Sequence, residues 1–226
     1  MIVTGHRGSL GSEPENTIRS FRRAIADGCD EIELDLRVTA DDRLVVLHDA
    51  TVGRTTNGTG PVEELTFDEL RALDAGLGER VPTWAETIEV VGVRIQAEVK
   101  AARAVPLLVE SLQADPELAA RTMVTSSHAE ILLAIRQAMP SASTGLIFGR
   151  TPDVADVLAL TRAAEAGTAL CGIAGLTVEA VAELHREGFD VTAWPVPDAE
   201  TFARAVELGV DGITTDYPER LAAVRI

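Results

Sequence analysis

A chain of 226 residues, 46% hydrophobic and only 4% aromatic, is long enough for one large aliphatic core. Its composition suits parallel strands under helices better than an aromatic-rich β-sandwich. A formal net charge of −16 argues against nucleic-acid partners and against docking on anionic lipid through surface charge. No apolar run reaches the length of a membrane span, so stable membrane insertion is not expected. The sequence enters a strand-like segment at once, with no basic region, apolar stretch and cleavage site ahead of it, and the expectation is a cytoplasmic location.

Short apolar runs alternate with amphipathic stretches to the last residues. The runs at 2–4, 31–36, 94–99, 122–126, 143–148, 169–173, 191–195 and 212–215 read as strands. Apolar residues at three- and four-residue spacing predict helices over 16–26, 105–114, 130–139, 152–166, 178–187 and 200–208. Asn16, Thr151, Thr177 and Asp198 stand where helix caps belong, and Gly28, Gly167, Gly188 and Gly209 where helices stop. Eight strands with intervening helices predict the α/β class and a single (β/α)8 TIM barrel over residues 1–226, with a doubly wound open sheet as the alternative. One stretch breaks the alternation. After an extra strand-like run at 43–47, residues 49–80 are rich in Gly, Thr and charge and carry the turn signal Asn57-Gly58. A short helix at 66–73 follows before the chain returns at Pro82. This reads as a small insertion after the second strand, lying over one rim of the barrel, with no domain boundary. Cys29 and Cys171 form no CxxC pair, and buried thiols are the favoured reading.

In such a barrel the reactive groups gather at the carboxyl ends of the strands. His6 and Arg7 close the first predicted strand, Glu33 and Asp35 the second, and Glu98 and Lys100 the third. His48 follows the extra run, Trp194 ends the seventh strand and Asp216 follows the eighth. Residues two apart on a strand share a face, so Glu33 and Asp35 point the same way, as do Glu98 and Lys100. Three carboxylates (Glu33, Asp35 and Glu98) at one mouth would repel unless a cation sat between them. Oxygen-only donors favour Mg2+ or Ca2+ over zinc. His6 and His48 are proton-transfer candidates, because a neutral imidazole gives or takes a proton near neutral pH. Ordinary alternatives stand beside these readings. Acidic residues at strand ends are often caps or ion pairs, and Gly5-His6-Arg7-Gly8 alone is compatible with a simple turn. His185 reads as a helix surface residue, and His128 either lines the mouth or caps the following helix. Their joint occurrence at successive strand ends is hard to ascribe to coincidence.

Gly5-His6-Arg7-Gly8, Pro14-Glu15-Asn16-Thr17, Glu31-Ile32-Glu33-Leu34-Asp35 and His48-Asp49 together resemble the glycerophosphodiester phosphodiesterases. The similarity continues through Arg54-Thr55-Thr56-Asn57-Gly58-Thr59-Gly60, Val81-Pro82-Thr83, Glu98-Val99-Lys100 and the closing Asp211-Gly212-Ile213-Thr214-Thr215-Asp216-Tyr217-Pro218, so it spans essentially the whole chain. The resemblance implies a metal-dependent hydrolase that releases sn-glycerol 3-phosphate and an alcohol through a cyclic phosphate. It implies His6 and His48 as general acid and base, and Glu33, Asp35 and Glu98 as ligands of one divalent cation, Mg2+ or Ca2+. Arg7 and Lys100 would neutralise the phosphate oxygens. The substrate side of the mouth would involve Trp194, His128 and Phe148. Two departures fall there: Ser126-Ser127-His128 where the family usually has Ser-Phe, and Trp194-Pro195-Val196-Pro197 where it usually has Trp-Thr-Val-Asn. They bear on substrate preference. An apolar groove near Trp194 and Phe148 would favour lysophospholipids or another phosphodiester, and a catalytically silent binding barrel is the reading from outside enzymology.

Overall fold

The computed structural model describes residues 1–221. In chain order these form β1 (Ile2–Gly5), α1 (Ile18–Ala26), β2 (Glu31–Val38), β3 (Leu44–Val46), α2 (Phe67–Arg71) and α3 (Trp84–Val90). There follow β4 (Arg94–Val99), α4 (Ala104–Ala114), α5 (Pro116–Ala120), β5 (Thr122–Ser126), α6 (Ala129–Ala138), β6 (Ser143–Ile147) and α7 (Val154–Ala163). The described residues continue through β7 (Thr168–Gly172), α8 (Val178–Arg186), β8 (Asp190–Trp194), α9 (Ala199–Leu208), β9 (Gly212–Thr215) and α10 (Pro218–Leu221). Every strand but β3 is parallel to its neighbours, and β1 pairs with both β2 and β9. Those two pairings close the sheet. An open doubly wound sheet has free edges where this barrel has a seam.

The strand sequences show why the barrel is stable and its lumen polar. In β2 Ile32, Leu34 and Leu36 are fully buried, and they join one apolar cluster with Phe21 and Ala24 of α1 and Leu108 of α4. Ile95, Ala97 and Val99 of β4 belong to the same cluster. Burying each large aliphatic side chain contributes about 2 kcal/mol, so the strand-to-helix layer carries most of the stabilisation. The alternate residues, Glu31, Glu33 and Asp35 on β2 with Gln96 and Glu98 on β4, share the opposite face. Register places Glu33 beside Gln96 and Asp35 beside Glu98.

β3 pairs antiparallel with β2 from Leu36–Val46 to Val38–Leu44, so β2 runs past the expected residue 36. Glu33 and Asp35 therefore lie within β2 rather than at its end. The insertion that follows has an apolar cluster of its own, in which Val45, Leu47, Val52, Val62, Leu70, Ala75 and Val81 are buried. Three helices escape the periodicity. α3 and α5 have 7 and 5 residues, too short for a repeating apolar face, and α10 is described over only 4 residues. Thr177 and Asp198 cap α8 and α9 through their side chains as expected. Thr17, not Asn16, caps α1, and Thr151 hydrogen-bonds the Gly172 carbonyl at 2.9 Å instead of capping α7. Among the described residues no helix is long and apolar enough to cross a membrane.

Candidate active site

The turn after β1 is built around two left-handed residues, Arg7 at φ +49° and Gly8 at φ +84°. A side chain at residue 8 would bring its Cβ to 2.6 Å from the Ser20 backbone, so α1 can approach this closely only against glycine. The turn aims the Arg7 amide at Glu33 Oε2, 2.9 Å away. It also sends the Arg7 side chain to Glu15 at 2.8 Å and to Asp35 at 3.2 Å. Asn16, likewise left-handed at φ +57°, donates from Nδ2 to Asp35 Oδ2 at 2.7 Å. Two strained non-glycine residues thus converge on one carboxylate, the kind of concentration found where geometry serves function.

Glu33, Asp35 and Glu98 each place a carboxylate oxygen within 4.8 Å of the others. Lys100 reaches Asp35 at 3.1 Å and Glu98 at 2.6 Å. Burial, reinforced by the Asp35 charge, pushes Glu33 up to about 8, whereas Arg7 and His6 oppose the rise. Burial works in the same direction on Asp35, but the charges of Lys100, Arg7 and His48 and the Asn16 hydrogen bond hold it below the usual carboxylate range. Glu33 Oε1 is buried without a hydrogen-bond partner, and Asp35 Oδ1 has only the ion-pair contact with Lys100. Unsatisfied buried oxygens on a cluster of hard donors are what a divalent cation requires, and the donor set fits one.

Both histidines are oriented in the same way. His6 Nδ1 donates to Asp216 Oδ1 at 2.6 Å, and His48 Nδ1 donates to Asp49 Oδ1 at 2.6 Å. Because a carboxylate only accepts, Nδ1 carries the hydrogen and Nε2 is left for proton exchange. Burial would lower the His6 pKa, but the Asp216 hydrogen bond and the Glu33 charge outweigh it and raise it. His6, Arg7, Glu33, His48, Glu98 and Lys100 line one side of a cleft of about 230 Å³, and Ile147, Gly149, Leu170 and Trp194 line the other.

Two expected mouth residues lie elsewhere. Phe148 is only 7% exposed and packs in the main core, because the strand alternation turns its neighbours Ile147 and Gly149 to the cleft instead. The His128 side chain is 58% exposed beside Glu130, and Ser127 takes the place at the cleft. Asp216, expected after the eighth strand, braces His6, whereas Asn16, Asp49 and Gln96 belong to the site or brace it without standing out individually in the sequence. His48-Asp49 and Thr215-Asp216 are contiguous signals, but nothing local says that those carboxylates hold imidazoles.

The glycerophosphoryl diester phosphodiesterase family model matches residues 6–220. The chain belongs to that family. A glycerophosphodiester phosphodiesterase of Caldanaerobacter subterraneus is 34% identical, over 97% of this chain and 96% of the relative. An Oleispira antarctica phosphodiesterase, solved in complex with its product sn-glycerol-3-phosphate, is 25% identical with a TM-score of 0.91, covering 99% of this chain and 96% of that one. A glycerophosphodiester phosphodiesterase structure from Agrobacterium tumefaciens is 28% identical with a TM-score of 0.84, over 99% of each chain. As a member of the glycerophosphoryl diester phosphodiesterase family, this chain is a hydrolase with the (β/α)8 barrel expected from its element order.

Proposed function

We propose that the protein cleaves glycerophosphodiesters to sn-glycerol 3-phosphate and an alcohol, with His6 and His48 moving the protons. The observation that carries this reading is the pair of imidazoles lining one cleft, each held at Nδ1 by a carboxylate 2.6 Å away, around a buried carboxylate cluster. The glycerol 2-hydroxyl attacks phosphorus as one histidine accepts its proton. The other histidine protonates the departing alcohol as its bond to phosphorus breaks. Water then opens the cyclic phosphate with the two roles exchanged, and each imidazole returns to its starting state. Glu33, Asp35 and Glu98 would hold one divalent cation, Mg2+ or Ca2+, which when bound supplies positive charge for the phosphate and acidifies a nearby hydroxyl. Arg7 and Lys100 add fixed positive charge on the same side of the cleft, where the non-bridging oxygens gain charge in the transition state. The departing alcohol rests against Ile147, Leu170 and Trp194.

Lysophospholipid substrates are not favoured, because Phe148, half of the apolar groove they would use, is in the core. The test is a product assay on glycerophosphocholine, glycerophosphoethanolamine, glycerophosphoglycerol and a lysophospholipid. The wild type should release sn-glycerol 3-phosphate from at least one of the first three. His6→Ala and His48→Ala should each lower turnover about a hundredfold to ten-thousandfold, the range general acid–base groups contribute. Both should melt near the wild-type temperature. Near-normal turnover in either variant would sink the mechanism.

A further inference from the structure

Arg54 opens the Arg54-Thr55-Thr56 motif, yet its side chain is 48% exposed in the insertion and does not line the cleft. All three of its guanidinium nitrogens donate hydrogen bonds all the same. Nε and Nη2 donate to the two oxygens of Asp49 at 2.7 and 3.1 Å. Nη1 and Nη2 donate to the two oxygens of Glu15 at 2.7 and 2.8 Å. Each of those carboxylates holds one group of the site, since Asp49 Oδ1 binds His48 Nδ1 at 2.6 Å and Glu15 Oε1 binds Arg7 Nη1 at 2.8 Å.

We infer that Arg54 is a positioning residue for the phosphodiesterase reaction, a clamp that fixes the His48 imidazole against the Arg7 guanidinium through Asp49 and Glu15. This rests on the roles proposed above for His48 and Arg7. The need for a clamp follows from where the two histidines are mounted. His6 is fixed by the barrel seam: its amide donates to the Thr215 carbonyl at 2.9 Å, and the Asp216 carbonyl accepts from Gly11 at 2.8 Å. His48 lies beyond β3, outside the ring of parallel strands, and its partner Asp49 is on the insertion. A carboxylate held at one oxygen can swivel, whereas a guanidinium binding both oxygens fixes its plane. Arg54 does this for two carboxylates at once, tying the insertion to the loop between β1 and α1. A lysine keeps the charge but has no planar fork, so it cannot replace the clamp.

Arg54→Lys should therefore lower kcat about tenfold or more, as loss of the groups orienting a reactive side chain commonly does, with KM changed less. Asp49→Asn should lower kcat too, and the double variant Arg54→Lys/Asp49→Asn should be little worse than Asp49→Asn alone, because both act on one hydrogen bond. The far-downfield Nδ1 proton resonance of His48, identified by its loss in His48→Asn, should shift or broaden in Arg54→Lys. Arg71→Met serves as control: it breaks another ion pair of the insertion, Arg71 to Glu86 at 2.8 Å, and should leave activity unchanged. Arg54→Gln, read in the same ways, stands in should the lysine variant not fold. Wild-type kcat and an unmoved resonance in the Arg54 variants would overturn the inference while leaving His48 catalytic. So would an equal loss in Arg71→Met. Full activity of His48→Ala would instead overturn the reading on which the inference rests.

Discussion

Asn16 illustrates how one residue's role escapes its sequence context. Before an apolar-periodic segment an asparagine reads as a helix cap, yet Thr17 takes that position and Asn16 turns its amide to Asp35 at 2.7 Å. Its φ of +57° is one that asparagine tolerates better than most residues. Asn16→Gly keeps that backbone freedom and removes the donor to a buried carboxylate, so it should destabilise the protein by about 1–3 kcal/mol. Asn16→Asp sets a negative charge against Asp35 and should destabilise further. Urea denaturation of the two variants checks the order, and an aspartate variant as stable as the wild type would contradict it. The residues proposed to react were legible as candidates. His6, Glu33, Asp35, His48, Glu98 and Lys100 line or adjoin one cleft, and their types, with the alternation that puts Glu33 and Asp35 on one face of β2, mark them in the sequence. Phe148 and His128 were not legible, since a one-residue change of strand face or loop course decides whether a side chain meets the cleft.

At the scale of elements, local chemistry fixed where two short helices in and after the insertion start. α2 and α3 both start with a capping box, Thr66 with Glu69 and Thr83 with Glu86. Thr83→Ala should cost about 1 kcal/mol, measured by urea denaturation at neutral pH. Glu86 is partly buried, which raises its pKa, but the Thr83 amide and the Arg71 charge outweigh this and lower it. A carboxylate with a depressed folded-state pKa stabilises above its ordinary value and loses that contribution as the pH falls through the depressed one. The stability gap between the wild type and Glu86→Gln should therefore close on acidification, and a gap that widened would refute the assignment. Long periodic helices and buried strands were readable because repetition averages out single exceptions. α3 and α5 were not, because seven and five residues offer no repeat.

At the scale of the whole molecule, the parallel pairing of β2 with β4 brings Glu98 against Glu33 and Asp35, segments more than sixty residues apart, on a chain with a net charge of −16. Relieving that repulsion links cation binding to folding. A divalent cation a hundredfold above its Kd adds about 2.7 kcal/mol, which for a chain of this size raises Tm by about 5–10 °C. Melting in Mg2+ or Ca2+ against EDTA measures the shift, and Glu98→Gln should shrink it. An identical Tm in chelator and in both ions would argue against the cation site. The sequence by itself determined the order of the barrel strands and the longer helices, the polar and apolar faces of β2 and β4, and a set of candidate residues for the chemistry. These follow from alternation, spacing and side-chain type, which are properties of neighbours along the chain. Tertiary structure alone decided that β1 meets β9, that Asp216 and Asp49 hold the two histidines, that Arg54 joins Asp49 to Glu15, and that Ile147 rather than Phe148 faces the cleft. Each is a contact or an orientation set by closure and packing, and segments as much as 210 residues apart carry no local mark of their partners.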